Sequence, residues 1–126
     1  MGDPSDPLAW AARAEEDYAL ARSALRRKLP STYGTTFHAQ QCAEKYFKAL
    51  LVARGQPFSK THDLAALSDL CLQNGIIIPL DQDALQRLAG YAVQVRYPGE
   101  DPTSDEAHQA LQTARIVRRF ARKLLK

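Results

Sequence analysis

TTFHAQQCAEKYFKALLVARG, residues 35–55, decides the fold. Ala39, Cys42 or Ala43, Tyr46 or Phe47, Leu50 and Ala53 recur every three or four positions, so a helix here carries an apolar stripe wide enough to face two neighbours. Gly55 ends it, and the stretch PSTYG before it reads as a short connection. His38, Gln41, Glu44, Lys45 and Lys48 form its polar side, which reads as solvated surface on the most buried helix of the chain.

Working outward, Asp6 and Pro7 make a cap and first-turn pair for an earlier helix running to about Leu29, with Ala11, Ala14, Tyr18, Ala21 and Leu25 on its inner face. Downstream, Thr61 is a cap for a short helix with Leu64, Leu67, Leu70 and Cys71 inward, closing near Asn74 and Gly75. The run IIIPL is too short and too isolated for a sheet and reads as a buried connector. Asp81 caps a fourth helix, with Leu80 placed to staple onto Leu85. Leu85, Leu88, Ala92 and Val95 face inward, and Pro98 ends the helix by Tyr97. Thr103 and Glu106 form a capping box for a last helix with Ala107, Ala110, Leu111, Ala114, Val117, Ala121 and Leu124 on one side. The expectation is an all-α, up-and-down antiparallel bundle of four to five helices, with residues 1–126 as one domain. Its alanine-rich faces give little area per residue, and homodimerisation would bury more.

With 17 Lys and Arg against 14 Asp and Glu, the net charge of +3 is too small to signal nucleic-acid binding by itself. No apolar run is long enough to span a membrane and the start lacks a secretory pattern, so the expectation is a cytoplasmic protein with no membrane contact. Cys42 and Cys71 read as reduced core thiols. His38, His62 and His108 share no metal-ligand spacing, so neither a metal nor a cofactor is expected.

HAQQCAEKYFKALLVARG, then THDLAAL, then YAVQVRYP, in that order and spacing, resemble the HEPN family of prokaryotic helical proteins over most of the chain. The resemblance implies a four- or five-helix bundle, often a symmetric dimer and commonly encoded beside a minimal nucleotidyltransferase in toxin–antitoxin modules. Ribonuclease members carry an Arg followed four to six residues later by a His. Here Arg96 is followed by YPGED, and the next histidine is His108, inside the last helix. The chain is therefore more similar to RYP-bearing members thought to bind nucleotides or a nucleotidyltransferase partner.

Among candidate site residues Arg96 comes first, because a guanidinium at a helix end fixed by proline can grip phosphate with two hydrogen bonds; the alternative is an ion pair with Glu100 or Asp101. Tyr97 and Tyr91 can stack on a base, although Tyr91 also fits simple helix packing. His62 and Asp63 sit at a helix start that favours an anion, but capping is the stronger reading of the pair. Lys45 and Lys48 are further ligand-binding candidates. If the chain were a metal-independent endoribonuclease, Arg96 with His62 or His108 would be its catalytic set. Arg115, Arg118, Arg119 and Arg122 form a basic stripe for a phosphate backbone, or a solvated face that complements a helix C-terminus. Three functions follow: a nucleotide- or RNA-binding module paired with a nucleotidyltransferase, a divergent ribonuclease toxin, or a structural bundle that docks an acidic partner.

Overall fold

The computed structural model describes residues 2–93 and 97–125, and within them every regular element is a helix: α1 (Pro7–Arg26), α2 (Thr32–Ala53), α3 (Leu64–Gln73), α4 (Gln82–Val93) and α5 (Ser104–Leu124). Each other helix packs on α2. Glu15 meets Tyr46 and Thr35 meets Ala21, so α1 is antiparallel to α2; Glu15 also meets Arg118 while Tyr18 meets Arg115, so α1 is antiparallel to α5. Small residues permit this close approach. Ala14, Ala21, Ala39, Ala43, Ala114 and Ala121 are fully buried, and the Thr35 hydroxyl donates directly to the Ala21 carbonyl at 3.1 Å. Tyr46, Phe47, Leu50, Leu51, Leu64, Leu67 and Leu88 fill the centre.

Most caps are those expected. Asp6 accepts from the Leu8 amide, Asp81 from that of Ala84, and Thr103 and Glu106 close a capping box. Leu85 and Leu88 are buried, Ile76 anchors the IIIPL connector, and Gly55 and Gly75 follow α2 and α3 in positive-φ conformations.

Four readings need correction. First, α1 stops at Arg26 rather than near Leu29, which is 82% exposed. Second, PSTYG is not a connection: Ser31 caps α2 by accepting from the Gly34 amide, and α2 begins at Thr32. A Cβ at Gly34 would meet Ser31 Oγ at 2.9 Å and Ala24 Cβ at 3.4 Å, so this glycine serves close helix approach rather than a turn. Third, α3 is capped by Asp63, whose carboxylate accepts from the amides of Ala65 and Ala66; Thr61 only braces the Asp63 amide. Fourth, Leu124 is 47% exposed, and it is Leu125 that packs on the core at this end of α5. The inward placing expected for the side chains of Ala92 and Val95 lies outside what is described, as does Arg96.

Candidate functional site

The polar side of α2 is not solvated surface. A helix packed on all four others has little solvent face left, and Gln40, Glu44 and Lys48, spaced one turn apart, are buried together. Buried charges are tolerated when paired, because desolvating an isolated ion costs several kcal/mol. Lys48 Nζ lies 3.0 Å from Glu44 Oε2, with their side chains 8% and 2% exposed. The rings of Trp10 and Phe58 cover the same ammonium, at 5.4 and 5.9 Å from its nitrogen. Those rings meet edge to face, and Trp10 is fixed by donating from its indole nitrogen to the Pro4 carbonyl.

The carboxylate of Glu44 has a second partner. Segment 54–63 returns along α2 to bring His62 Nδ1 within 3.0 and 3.1 Å of the two Glu44 oxygens. Gln40 Nε2 donates to Glu44 Oε1 at 3.3 Å and reaches the His62 carbonyl at 3.5 Å, while Gln41 donates to Gln40 Oε1 at 2.6 Å. A carboxylate only accepts, so the His62 proton facing it sits on Nδ1 and Nε2 is the nitrogen left over. The imidazole is 72% exposed and borders an open cleft of ≈ 560 Å³ with Thr61, Asp63, Gln86, Ala89 and Gly90. An exposed imidazole oriented from behind by a buried carboxylate can donate to, accept from, or carry a proton for a group in that cleft.

A parallel cluster joins α1 to α2. Buried Asp17 accepts from Lys45 Nζ at 2.5 Å and contacts His38 Nδ1 at 2.8 Å. Lys45 and Lys48, both sequence candidates for ligand binding, therefore have their ammonium groups tied to carboxylates of this chain.

A third cluster lies across α1, α2 and α5. Glu15 receives Arg118 through two bonds of 2.7 and 3.0 Å, the Tyr46 hydroxyl, and Arg122 at 3.7 Å. Burial alone would raise the Glu15 carboxyl, but the hydrogen bonds from Arg118 and Tyr46, helped by the charges of Arg118 and Arg122, bring it below its ordinary value. The same bond holds Arg118 above its ordinary value. Burial, then the bond to Glu15, pushes the Tyr46 phenol up.

The remaining candidates are dispersed. His108 contacts the Ser104 carbonyl and borders a different groove, between α4 and α5, shared with Arg87, Tyr91 and Glu106; His62 and His108 thus lie on opposite flanks of α4. Tyr91 is partly buried, and its hydroxyl lies 3.5 Å from Glu106. Tyr97 is 65% exposed, and its carbonyl accepts from the Glu100 amide across a Pro98–Gly99 turn with Gly99 at φ +90°, the geometry of a type II turn. Arg115 donates to the Tyr18 hydroxyl, and Arg119 is exposed. Asp63 already fills the first amides of α3, so capping, not an anion, occupies that helix start. Among the described residues no group of three His, Cys, Asp or Glu could hold a metal ion, and no helix is long and apolar enough to cross a membrane.

The family model for the HEPN domain matches residues 8–124, nearly the whole chain. The chain belongs to the HEPN domain family. Two solved structures share its fold. The crystal structure of TT1696 from Thermus thermophilus superposes with a TM-score of 0.75 at 26% identity, covering 93% of this chain and 96% of that one. ST0689, an archaeal HEPN homologue, superposes with a TM-score of 0.70 at 23% identity, covering 96% and 98%. No curated protein matches the chain. In this HEPN domain the THDL segment lines one wall of the cleft through Thr61, His62 and Asp63, and Gly90 on the other wall precedes Arg96 by six positions in sequence. Gln40, Asp17, Trp10 and Phe58 were not singled out from sequence. For Gln40 the signal was its place one turn before Glu44 on a helix with neighbours on every side; Asp17, Trp10 and Phe58 come from other segments and are joined to it only by the fold.

Proposed function

We propose that this HEPN domain is a nucleotide- or RNA-binding module that takes a phosphate in the cleft beside His62, with Arg96 and Tyr97 as its other contacts. The observation that carries the reading is the pairing of exposed His62 with buried Glu44. A purely structural role would not require a fixed, solvent-facing imidazole at the edge of a cleft. We further propose that the module works as a cytoplasmic homodimer beside a minimal nucleotidyltransferase in a toxin–antitoxin type system. Exposed Leu8, beside Ala11, Ala12 and Leu125, offers an apolar surface that a second copy would cover.

The same dyad favours one alternative. His62 oriented by a carboxylate is equipped for proton transfer, so a divergent ribonuclease built from Arg96 and His62 is the second reading. One experiment separates them: calorimetric titration with nucleoside triphosphates and with a mixed RNA pool, without metal, for the parent, Arg96→Ala and His62→Ala, followed by gel analysis of the RNA. Saturable binding that both variants lose, with RNA intact, supports the binding module. Cleavage abolished by either substitution moves the assignment to the ribonuclease. Binding unchanged in both variants overturns the cleft as the site.

A further inference from the structure

The cations of α1 and α5 differ in their surroundings in a way that the sequence does not show: among the described residues some share a carboxylate, and several, Arg13, Arg119 and Lys123 included, do not. Arg118 and Arg122 share the single carboxylate of Glu15, which offsets one of their two charges. Arg22, Arg26, Arg27 and Arg115 have no carboxylate within ion-pair distance among the described residues; indeed no Asp or Glu occurs between Asp17 and Glu44. Arg22, Arg115 and Arg118 gather around one buried phenol: Arg22 and Arg118 lie over the Tyr18 ring at 5.7 and 4.7 Å, and Arg115 Nε donates to its hydroxyl at 3.0 Å. Arg22 Nε is buried with no acceptor. From there a shallow groove of ≈ 400 Å³ follows α1, lined by Ala19, Arg22, Ser23, Arg26 and Arg27.

Arg26 in the last turn complements the helix dipole, which is reason enough for one cation. It does not account for Arg22, a turn earlier, stacked on Tyr18 and lacking an acceptor. We propose that this α1 stripe, completed by Arg115, is a docking surface for the phosphodiester backbone of single-stranded RNA. Guanidinium groups meet phosphate through two parallel bonds, and Arg22 and Arg26, one helical turn apart with no acidic residue between them, suit a strand carrying one charge per repeat. Stacking on Tyr18 orders the Arg22 guanidinium before the strand arrives. The surface is separate from the His62 cleft, with which it shares no lining residue, so it stands whether or not that cleft binds a nucleotide.

The test is fluorescence anisotropy of a labelled oligouridylate over a range of salt concentrations. It compares the parent, Arg26→Ala/Arg27→Ala, the triple variant adding Arg22→Ala, and an Arg54→Ala/Arg87→Ala control that removes two cations elsewhere. The expected result is a loss of about tenfold or more in the triple variant. For the exposed Arg26/Arg27 pair, which can be removed without disturbing Tyr18, the logarithmic salt slope should shrink by about 1.4, at roughly 0.7 per phosphate contact. The control should keep the parent slope. Parental affinity and slope in the double variant would overturn the proposal whatever the triple variant does. So would equally tight binding of a poly-glutamate of matched charge, which would assign the stripe to an acidic protein.

Discussion

His62 Nδ1 lies 3.0 Å from Glu44 Oε2, although 72% of the histidine side chain is exposed and only 2% of the glutamate. One residue holds the pair in place and the other presents it, so their substitutions should have opposite signatures. His62→Ala removes a largely exposed contact and leaves Glu44 paired with Lys48, so it should cost about 1 kcal/mol or less in chemical denaturation while abolishing ligand binding in the cleft. A loss of several kcal/mol would mean that His62 is structural.

Lys48→Met is the converse case. It leaves the Glu44 carboxylate buried with no cation beside it but the exposed His62 ring, together with the neutral Gln40 amide, and breaking a buried pair from one side costs about 3–5 kcal/mol. Urea unfolding should show a loss near the low end of that range, because His62 and Gln40 still bond to Glu44. Replacing both members, Glu44→Leu with Lys48→Met, should recover part of the loss, since no charge is then stranded.

Glu15 links acid stability to the α1–α5 contact. Its carboxyl titrates below the ordinary value when folded, so it adds stability that is complete above its unfolded value, about 4.3, and is lost as pH falls through the lower folded value. Thermal melts of parent and Glu15→Gln should therefore differ near neutral pH by an amount on the order of 1 kcal/mol and converge as pH falls below the lowered folded value. A difference that persists unchanged in acid would show that the bonds do not depend on the carboxylate charge.

Cys42 and Cys71 are fully buried, and desolvation raises both thiols, Cys71 to about 12. Neither should react with Ellman's reagent in the native protein at mildly alkaline pH, and both should react in denaturant. Fast native labelling of Cys71 would show that α3 separates readily from α2.

Asp63 should behave as a helix cap and nothing more. Asp63→Ala should lower stability by about 1 kcal/mol, and Asp63→Asn by much less, because asparagine also accepts from the first amides of α3. Thr61→Ala, which removes only a brace on the Asp63 amide, should cost less than the loss of the aspartate to alanine.

The family was legible through the resemblance of HAQQCAEKYFKALLVARG, THDLAAL and YAVQVRYP to HEPN sequences, and the helices were legible because they rest on local rules. Apolar spacing on α2 and α5, Asp6 with Pro7, Asp81, and the Thr103–Glu106 box involve residues within a turn or two of one another, and the sequence states those relationships directly. The errors came where a residue type has two local meanings. Gly34 next to Ser31 suits a turn and a capped helix start equally, and only the nearness of Ala24 selects the second.

The candidate site was legible by half. His62 and Asp63 could be named from their place before α3, but the roles divided only in space, where Asp63 turned back to cap and His62 turned outward from Glu44. Glu44 and Lys48 read as surface, since a polar stripe on an isolated helix faces water. Burial is not a property of α2 alone: it depends on α1, the returning segment 54–63 and the rings of Trp10 and Phe58, all contributed from elsewhere in the chain. The basic stripe of α5 failed for the same reason. Charge order along a helix records which cations exist, whereas Glu15, more than a hundred positions away in the chain, decides which of them remain unpaired. Sequence determined the helices through short-range periodicity and pointed to the family through resemblance, and tertiary packing alone decided which charges meet a counter-charge and which are offered to a partner, because Coulomb pairing acts through distances that the linear chain does not encode.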